Sequence, residues 1–252
     1  MLGGDPEALP RPRSVAPRAS TKWSPSLPAI SSYHRPATLD EALALMTRSD
    51  VVTRLLAGGT TLVPTPGPDT FEVVDLQSIG LEEIARRDGR VVLGAMTRLQ
   101  HVVDAPEVPP LVRDLAHREA PNTIRNAATI GGTVAGADPE SELLAAFLVH
   151  GAAVAIRGRD GEVELPLTDV LADRSVLAGA IVTTVALEPD GATASHRTGR
   201  TPADRPIVCV AGRRHQGTTR LAATGVGGTP VLIDPGRLGD LEPPGDFRGS
   251  PE

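Results

Sequence analysis

Aromatic side chains make up only 2% of this 252-residue chain. Beyond the N-terminal segment only Tyr33, Phe71, Phe147 and Phe247 remain, so a flat ligand must be held mainly by backbone and aliphatic groups. There is one cysteine, Cys209. That excludes an intrachain disulfide and an iron–sulfur cluster housed here, since such clusters need about four thiolates. Its setting, Ile207-Val208-Cys209-Val210, reads as a buried strand carrying an inert thiol. A membrane-length apolar run is also missing: the most apolar stretch, Leu143 to Ile156, is broken by His150 and Gly151 and is too short to span a bilayer. The first 30 residues lack the apolar centre of a signal peptide, and the expectation is a cytoplasmic protein. Net charge is −6 without a Lys/Arg stripe, which argues against a nucleic-acid partner.

What remains is an ordinary globular composition, 40% hydrophobic and 22% charged, long enough for one large domain or two small ones. Residues 1–30 carry six prolines, four basic and two acidic residues and no hydrophobic period. Such a segment cannot bury enough apolar surface to offset its ordering entropy, and a disordered tail is expected. Order is expected from about residue 31. Thr38 and Glu41 form a capping box ahead of a helical stripe through Leu39, Ala42, Leu43 and Met46. Val51 to Leu56 reads as a strand running into Ala57-Gly58-Gly59-Thr60-Thr61, and Glu72 to Leu76 as another. Asp88-Gly89 turns a hairpin between Ile84–Arg87 and Arg90–Leu93. Thr97 to Gln100 fits a second capping box for a helix to about Asp104, another helix is expected near Leu111 to Glu119, and Asn122 to Ala137 is a run of small residues. Asp138 as N-cap with Pro139 behind it predicts the start of a helix whose buried face is Leu143, Leu144, Phe147 and Leu148. Further hairpins are expected around Arg159-Asp160-Gly161 and Gln216-Gly217, with a strand from Ala180 to Leu187 between them. Pro189-Asp190-Gly191 marks the expected boundary between a domain over 31–190 and a smaller one over 191–252.

Two loops carry the chemistry. Gly58-Gly59-Thr60 and Gly131-Gly132-Thr133 each follow an apolar or small-residue approach. Paired glycines reach positive φ and lack a Cβ, so successive N–H groups can converge on a phosphate, and the threonine adds a hydroxyl donor. Two facing loops suit the two charges of a dinucleotide's pyrophosphate. Either alone is ordinarily a tight turn, and neither is the Gly-x-Gly-x-x-Gly fingerprint. Gly225-Val226-Gly227-Gly228 lies in a hairpin region and reads as structural.

The flanks narrow the reading. Leu55-Leu56-Ala57-Gly58-Gly59-Thr60-Thr61-Leu62 resembles the first FAD loop of the flavin-binding (medium) subunit of molybdenum hydroxylases, the carbon monoxide dehydrogenase and xanthine dehydrogenase family. Ile124-Arg125-Asn126-Ala127-Ala128-Thr129-Ile130-Gly131-Gly132-Thr133 resembles the second, and Asp138 to Leu143 the segment that follows it. Leu93-Gly94-Ala95-Met96-Thr97 resembles the strand between the loops.

The resemblance implies an α+β fold: a two-subdomain FAD-binding domain of p-cresol methylhydroxylase and vanillyl-alcohol oxidase type, then a small C-terminal α+β domain that here lacks its last helix, leaving an apolar sheet face exposed. It implies electron relay through FAD, from the iron–sulfur clusters of a small partner subunit to an external acceptor. A large partner subunit carries the molybdenum cofactor, in a heterotrimer that can dimerise. The site residues it implies are Ala57, Gly58, Gly59, Thr60 and Thr61, then Thr129, Ile130, Gly131, Gly132 and Thr133, with Glu142 facing the flavin's sugar side and Leu177 and Arg197 approaching its ring. The alternative is a degenerate or truncated flavin-fold module acting by protein contact alone. No histidine pair has zinc spacing, Asp138, Glu140 and Glu142 read as helix capping, and Ser195-His196 lacks a nucleophile elbow. Arg213-Arg214-His215 reads as a solvated turn at a hairpin end, or as a basic run facing the adenine end of FAD or a partner.

Overall fold

The computed structural model describes residues 30–62, 70–201 and 204–241; the expected N-terminal tail and the chain beyond residue 241 lie outside them. The first unit is a parallel sheet of β1 (Ile30–His34), β2 (Thr53–Leu56) and β3 (Phe71–Asp75), ordered β1-β3-β2. Helix α1 (Leu39–Met46) starts at the expected capping box, with the Thr38 hydroxyl accepting from Glu41 N and the Glu41 carboxylate accepting from Thr38 N. It lays Ala42 and Leu43 against Val74 and Leu76.

An antiparallel five-stranded sheet follows, built from β4 (Ile84–Arg87), β5 (Arg90–Gly94), β6 (Ala153–Gly158), β7 (Gly161–Pro166) and β8 (Ile181–Leu187), in the order β4-β5-β8-β6-β7. Its first hairpin turns on Asp88 and Gly89 at φ 51° and 75°, the positive-φ pair of a two-residue turn that matches strand twist. Between β5 and β6 run α2 (Leu99–Asp104), α3 (Pro110–Glu119), α4 (Asn122–Arg125), α5 (Ile130–Gly136) and α6 (Glu142–Val149); α7 (Leu167–Ala172) and a 3-10 turn over Arg174–Leu177 precede β8. The small-residue run 122–137 is thus mostly helical.

Two predicted helix starts move. The helix after Thr97 has Arg98 at its N-cap, and the Thr97 hydroxyl is buried without a hydrogen-bond partner. Leu99 N donates instead to Ala128 O, a contact from distant chain that no local pattern encodes. Asp138 does not cap α6. Its carboxylate accepts from Glu140 N in a turn, and Ser141, three residues on, receives Leu144 N and caps the helix.

The last unit is an antiparallel sheet of β9 (Ala192–Thr198), β10 (Val208–His215), β11 (Thr218–Thr224) and β12 (Val231–Ile233), ordered β12-β11-β10-β9. Strands β9 and β12 have no counterpart in the sequence expectations. All eight residues of α6 are buried, as expected for a helix that is apolar all round. It lies between α3 on one side and β10, β11 and β12 on the other, so one face of the C-terminal sheet is covered by a helix from earlier in the chain. Ala211 and Ala222 join the core formed by Leu143, Phe147, Val154 and Leu187.

At the foot of this junction Arg213 is 4% exposed. Its guanidinium reaches Glu188 Oε2 at 2.6 Å and Asp190 O at 2.6 Å. The solvated-turn expectation fails for this residue because its strand register points it inward, against the end of β8. Among the described residues no helix is long and apolar enough to cross a membrane.

Candidate functional site

The Ala57–Thr61 loop leaves the C-terminal end of β2, where an open parallel sheet commonly presents a ligand site. Gly59 sits at φ +71°, accessible to glycine at little steric cost. Gly58 is fixed for another reason: a Cβ there would lie 1.9 Å from Ala127 O and 2.6 Å from Ala127 C. The first loop therefore rests with its backbone directly on the strand of chain that leads into the second. No N–H of Gly58, Gly59 or Thr60 takes a partner among the described residues. These groups form the donor set a phosphate requires.

The second Gly-Gly-Thr is built differently. It is the first turn of α5, and its N–H groups are spent inside the protein. Ile130 N donates to Thr97 O at 3.0 Å, Gly131 N to Ala95 O at 2.7 Å, and Thr133 N to Thr129 O at 2.9 Å. Gly132 N donates to the Thr129 hydroxyl at 3.2 Å. The expected second nest is thus a capped helix start pinned to the end of β5. Its glycines divide the work. Gly131 packs on Ala95, where a Cβ would meet Ala95 Cβ at 2.9 Å, whereas a Cβ on Gly132 would meet only Thr129 Oγ1, at 3.0 Å. Gly132 is the glycine that keeps space open in the site.

Between the loops lies a cleft of about 940 Å³. Of the expected residues, Ala57, Gly58, Gly59, Thr60, Thr61, Thr129, Gly132, Thr133 and Arg197 line it. Ile130, Gly131, Glu142 and Leu177 are not among the lining residues; Ile130 and Glu142 are buried behind it, and Leu177 packs on the main core. Glu142 is 2% exposed and its Oε1 lies 3.3 Å from Arg197 Nη1, while Arg197 also donates to Asp204 O. Burial, with the Glu142 carboxylate close by, pushes the Cys209 thiol up to about 12, as an inert core thiol requires.

Sequence reasoning missed a second set of lining residues: Arg54, the Arg118–Pro121 corner and Arg205. Arg205 pairs with Asp138 at 2.8 Å and Glu140 at 3.6 Å, tying the connection after β9 to the chain before α6. Glu119 accepts from Leu143 N at 3.0 Å, and burial raises its carboxyl above the ordinary value despite the hydrogen bonds from Ser141 and Leu143. Arg54 and Arg118 line the cleft with no carboxylate partner among the described residues, and they supply positive charge for an anionic ligand. Behind this wall, buried Arg125 donates to Gln100 Oε1 at 3.0 Å and to the carbonyls of His117 and Ala120 at 2.9 and 2.7 Å. It locks α4 to the carbonyl end of α3, where a cation is favoured. The signal for Arg125 would have been an arginine inside an otherwise small, apolar run.

These residues fit FAD: an unspent N–H set, a glycine whose missing Cβ leaves room, two arginines without a carboxylate partner among the described residues and a cleft of about 940 Å³. Residues 28–188, more than half the chain, match the family described as the FAD binding domain in molybdopterin dehydrogenase. The carbon monoxide dehydrogenase medium chain of Afipia carboxidovorans is 33% identical over 170 residues, covering 65% of this chain and 56% of the relative. The 6-hydroxypseudooxynicotine dehydrogenase complex subunit alpha of Paenarthrobacter nicotinovorans is 29% identical, covering 59% and 53%. The chain thus spans about half the length of these curated relatives. Among solved structures, carbon monoxide dehydrogenase from Hydrogenophaga pseudoflava superposes with a TM-score of 0.77 at 25% identity, covering 89% of this chain and 91% of that one. The Cu,Mo-CO dehydrogenase in its cyanide-inactivated form gives 0.76 at 26%, covering 89% and 92%. The fold is the mixed α/β FAD-binding fold of the carbon monoxide dehydrogenase medium chain, and this chain belongs to the family of FAD-binding medium subunits of molybdenum hydroxylases.

Proposed function

We propose that the chain relays electrons, taking them from iron–sulfur clusters in a small partner subunit and passing them through FAD to an external acceptor. A large partner subunit holds the molybdenum cofactor and oxidises the substrate, in a heterotrimer that can dimerise. The observation that carries this reading is the cleft between the two glycine loops, floored by the N–H groups of Gly58, Gly59 and Thr60, which take no partner among the described residues. The single, buried Cys209 supports it as well, because the clusters then reside in another subunit. FAD supplies the redox centre, and the protein's part is binding, orientation and exclusion. The first loop holds the pyrophosphate, Gly132 admits it, and the Glu142–Arg197 pair fixes a guanidinium on the cleft wall. In this reading residues 31–190 form a two-subdomain FAD domain of the p-cresol methylhydroxylase and vanillyl-alcohol oxidase type, and 191–252 a smaller C-terminal domain.

The test is to express the chain with its partner subunits and alone, add FAD, and remove free flavin. One FAD per chain, reduced when the substrate of the complex is added, is the expected result. A chain that retains no flavin in either preparation would overturn the reading.

A further inference from the structure

A dinucleotide has two ends, and the residues above hold only its middle. A purine base is ordinarily held by stacking on a flat group, an aromatic ring or a guanidinium. Among the described residues lining the cleft none is Phe, Tyr or Trp, and the imidazole of His117 is exposed. Four are arginines. Arg197 is tied to Glu142 and Arg205 to Asp138, so their planes serve ion pairs. Arg118 is exposed, and nothing among the described residues fixes its plane.

Arg54 differs from all three. Its Cζ lies 4.5 Å from the centroid of the Phe71 ring, and Phe71 is only 2% exposed. One face of the guanidinium is thus spent on a buried ring, a favourable cation–π contact, and its orientation is set. The group is half-buried on the cleft wall with no carboxylate partner among the described residues. It stands on β2, four residues before Gly58. At about 3.3 Å of strand per residue that is about 13 Å of chain, which an arginine side chain and a ribose together bridge.

We propose that Arg54, held against Phe71, is the platform on which the adenine base of FAD stacks. Phe71 acts as a positioning residue beneath it, taking the place of an aromatic ring in the cleft itself. The proposal rests on the FAD reading above.

The test compares FAD with FMN, which lacks the adenosine, by flavin-fluorescence titration of the full chain and of its Arg54→Lys and Arg54→Met variants, with thermal melts of each apo protein. Lysine keeps the charge and loses the plane. The expected result is FAD affinity lower by roughly five- to hundredfold in both variants, the range of losing one base stack, with FMN affinity unchanged. Equal losses for FAD and FMN, or full FAD affinity in Arg54→Lys, would overturn the proposal, because Arg54 would then act as a charge on the phosphates. Should Arg54→Met fail to fold, ADP competition decides the matter: ADP displaces FAD from the wild type and loses that ability in Arg54→Lys. ADP that competes equally in both also overturns the platform. A wild type that binds neither flavin would overturn the FAD reading itself, which distinguishes the two failures.

Discussion

Replacing three glycines in turn by alanine separates what holds the loops together from what admits the ligand. At Gly58 the new Cβ would sit 1.9 Å from Ala127 O and 3.1 Å from Ala128 Cα, against an ordinary contact of at least about 3.5 Å. Both obstacles are backbone, so the loops must part by more than an ångström. Overpacking of this kind costs about 1–3 kcal/mol or more, and the donor set of Gly58, Gly59 and Thr60 moves with it. At Gly131 the clash is with Ala95, at 2.9 Å to its Cβ and 3.0 Å to its O. A helical site returns about 1 kcal/mol on Gly→Ala, so the net loss is smaller. At Gly132 the one neighbour is Thr129 Oγ1, at 3.0 Å. That hydroxyl can give by a few tenths of an ångström, and the helix-propensity gain of about 1 kcal/mol offsets it. Gly132→Ala should therefore melt within about 4 °C of the wild type and yet lose flavin, because its methyl stands in the ligand's approach. A penalty of about 1–3 kcal/mol is roughly five- to 150-fold in Kd. Calorimetric or dichroic melts of the apo proteins and flavin-quenching titrations supply both axes. If Gly132→Ala keeps wild-type FAD affinity, or if it is the least stable of the three, the division of labour between the loops is wrong.

Four further outcomes are expected. Arg197→Met leaves the buried Glu142 carboxylate without its cation and should cost about 3 kcal/mol in denaturant unfolding, most of it recovered in the Glu142→Gln/Arg197→Met double variant; additive losses would refute the coupling. Burial holds His150 below its ordinary value, so the unfolded chain binds the proton first; stability is full above about pH 6.5 and falls as pH drops, by at most about 1.4 kcal/mol per pH unit from this one group, and His150→Asn should flatten that slope in unfolding measured from pH 7 to 5. Glu119 titrates the other way, since its raised carboxyl keeps a proton that the unfolded chain has released; stability is lost as pH rises above about 4.3, and Glu119→Gln should be the more stable protein at pH 7, with an equal or lower midpoint counting against the assignment. Cys209, buried and with its thiol pushed up to about 12, should resist aromatic disulfide reagents at pH 8 in the native state and react once in denaturant; rapid native labelling would show that the strand opens.

The residues legible in sequence are those whose behaviour is set by near neighbours in the chain. Thr38 and Glu41 cap α1 as read, because both partners lie within four residues. Asp88-Gly89 and Gln216-Gly217 turn their hairpins at positive φ, a local backbone preference. The first glycine loop and its approach strand are likewise in place. The tertiary structure decided everything that depended on what comes to lie beside a residue. Thr97 and Asp138 have cap-like surroundings in sequence, yet Arg98 and Ser141 take the N-cap positions: distant Ala128 O receives Leu99 N, and Asp138 turns onto Glu140 N while pairing with distant Arg205. Arg125 and Arg213 look like surface arginines and are buried among carbonyls and a carboxylate, since strand register and helix packing set their direction. The two Gly-Gly-Thr segments are near-identical as letters, and the sequence by itself pointed to both as the expected flavin loops. Only the fold decided that one offers its N–H groups while the other spends them on Ala95, Thr97 and Thr129, because a hydrogen bond goes to whichever acceptor the packing brings within 3 Å or so.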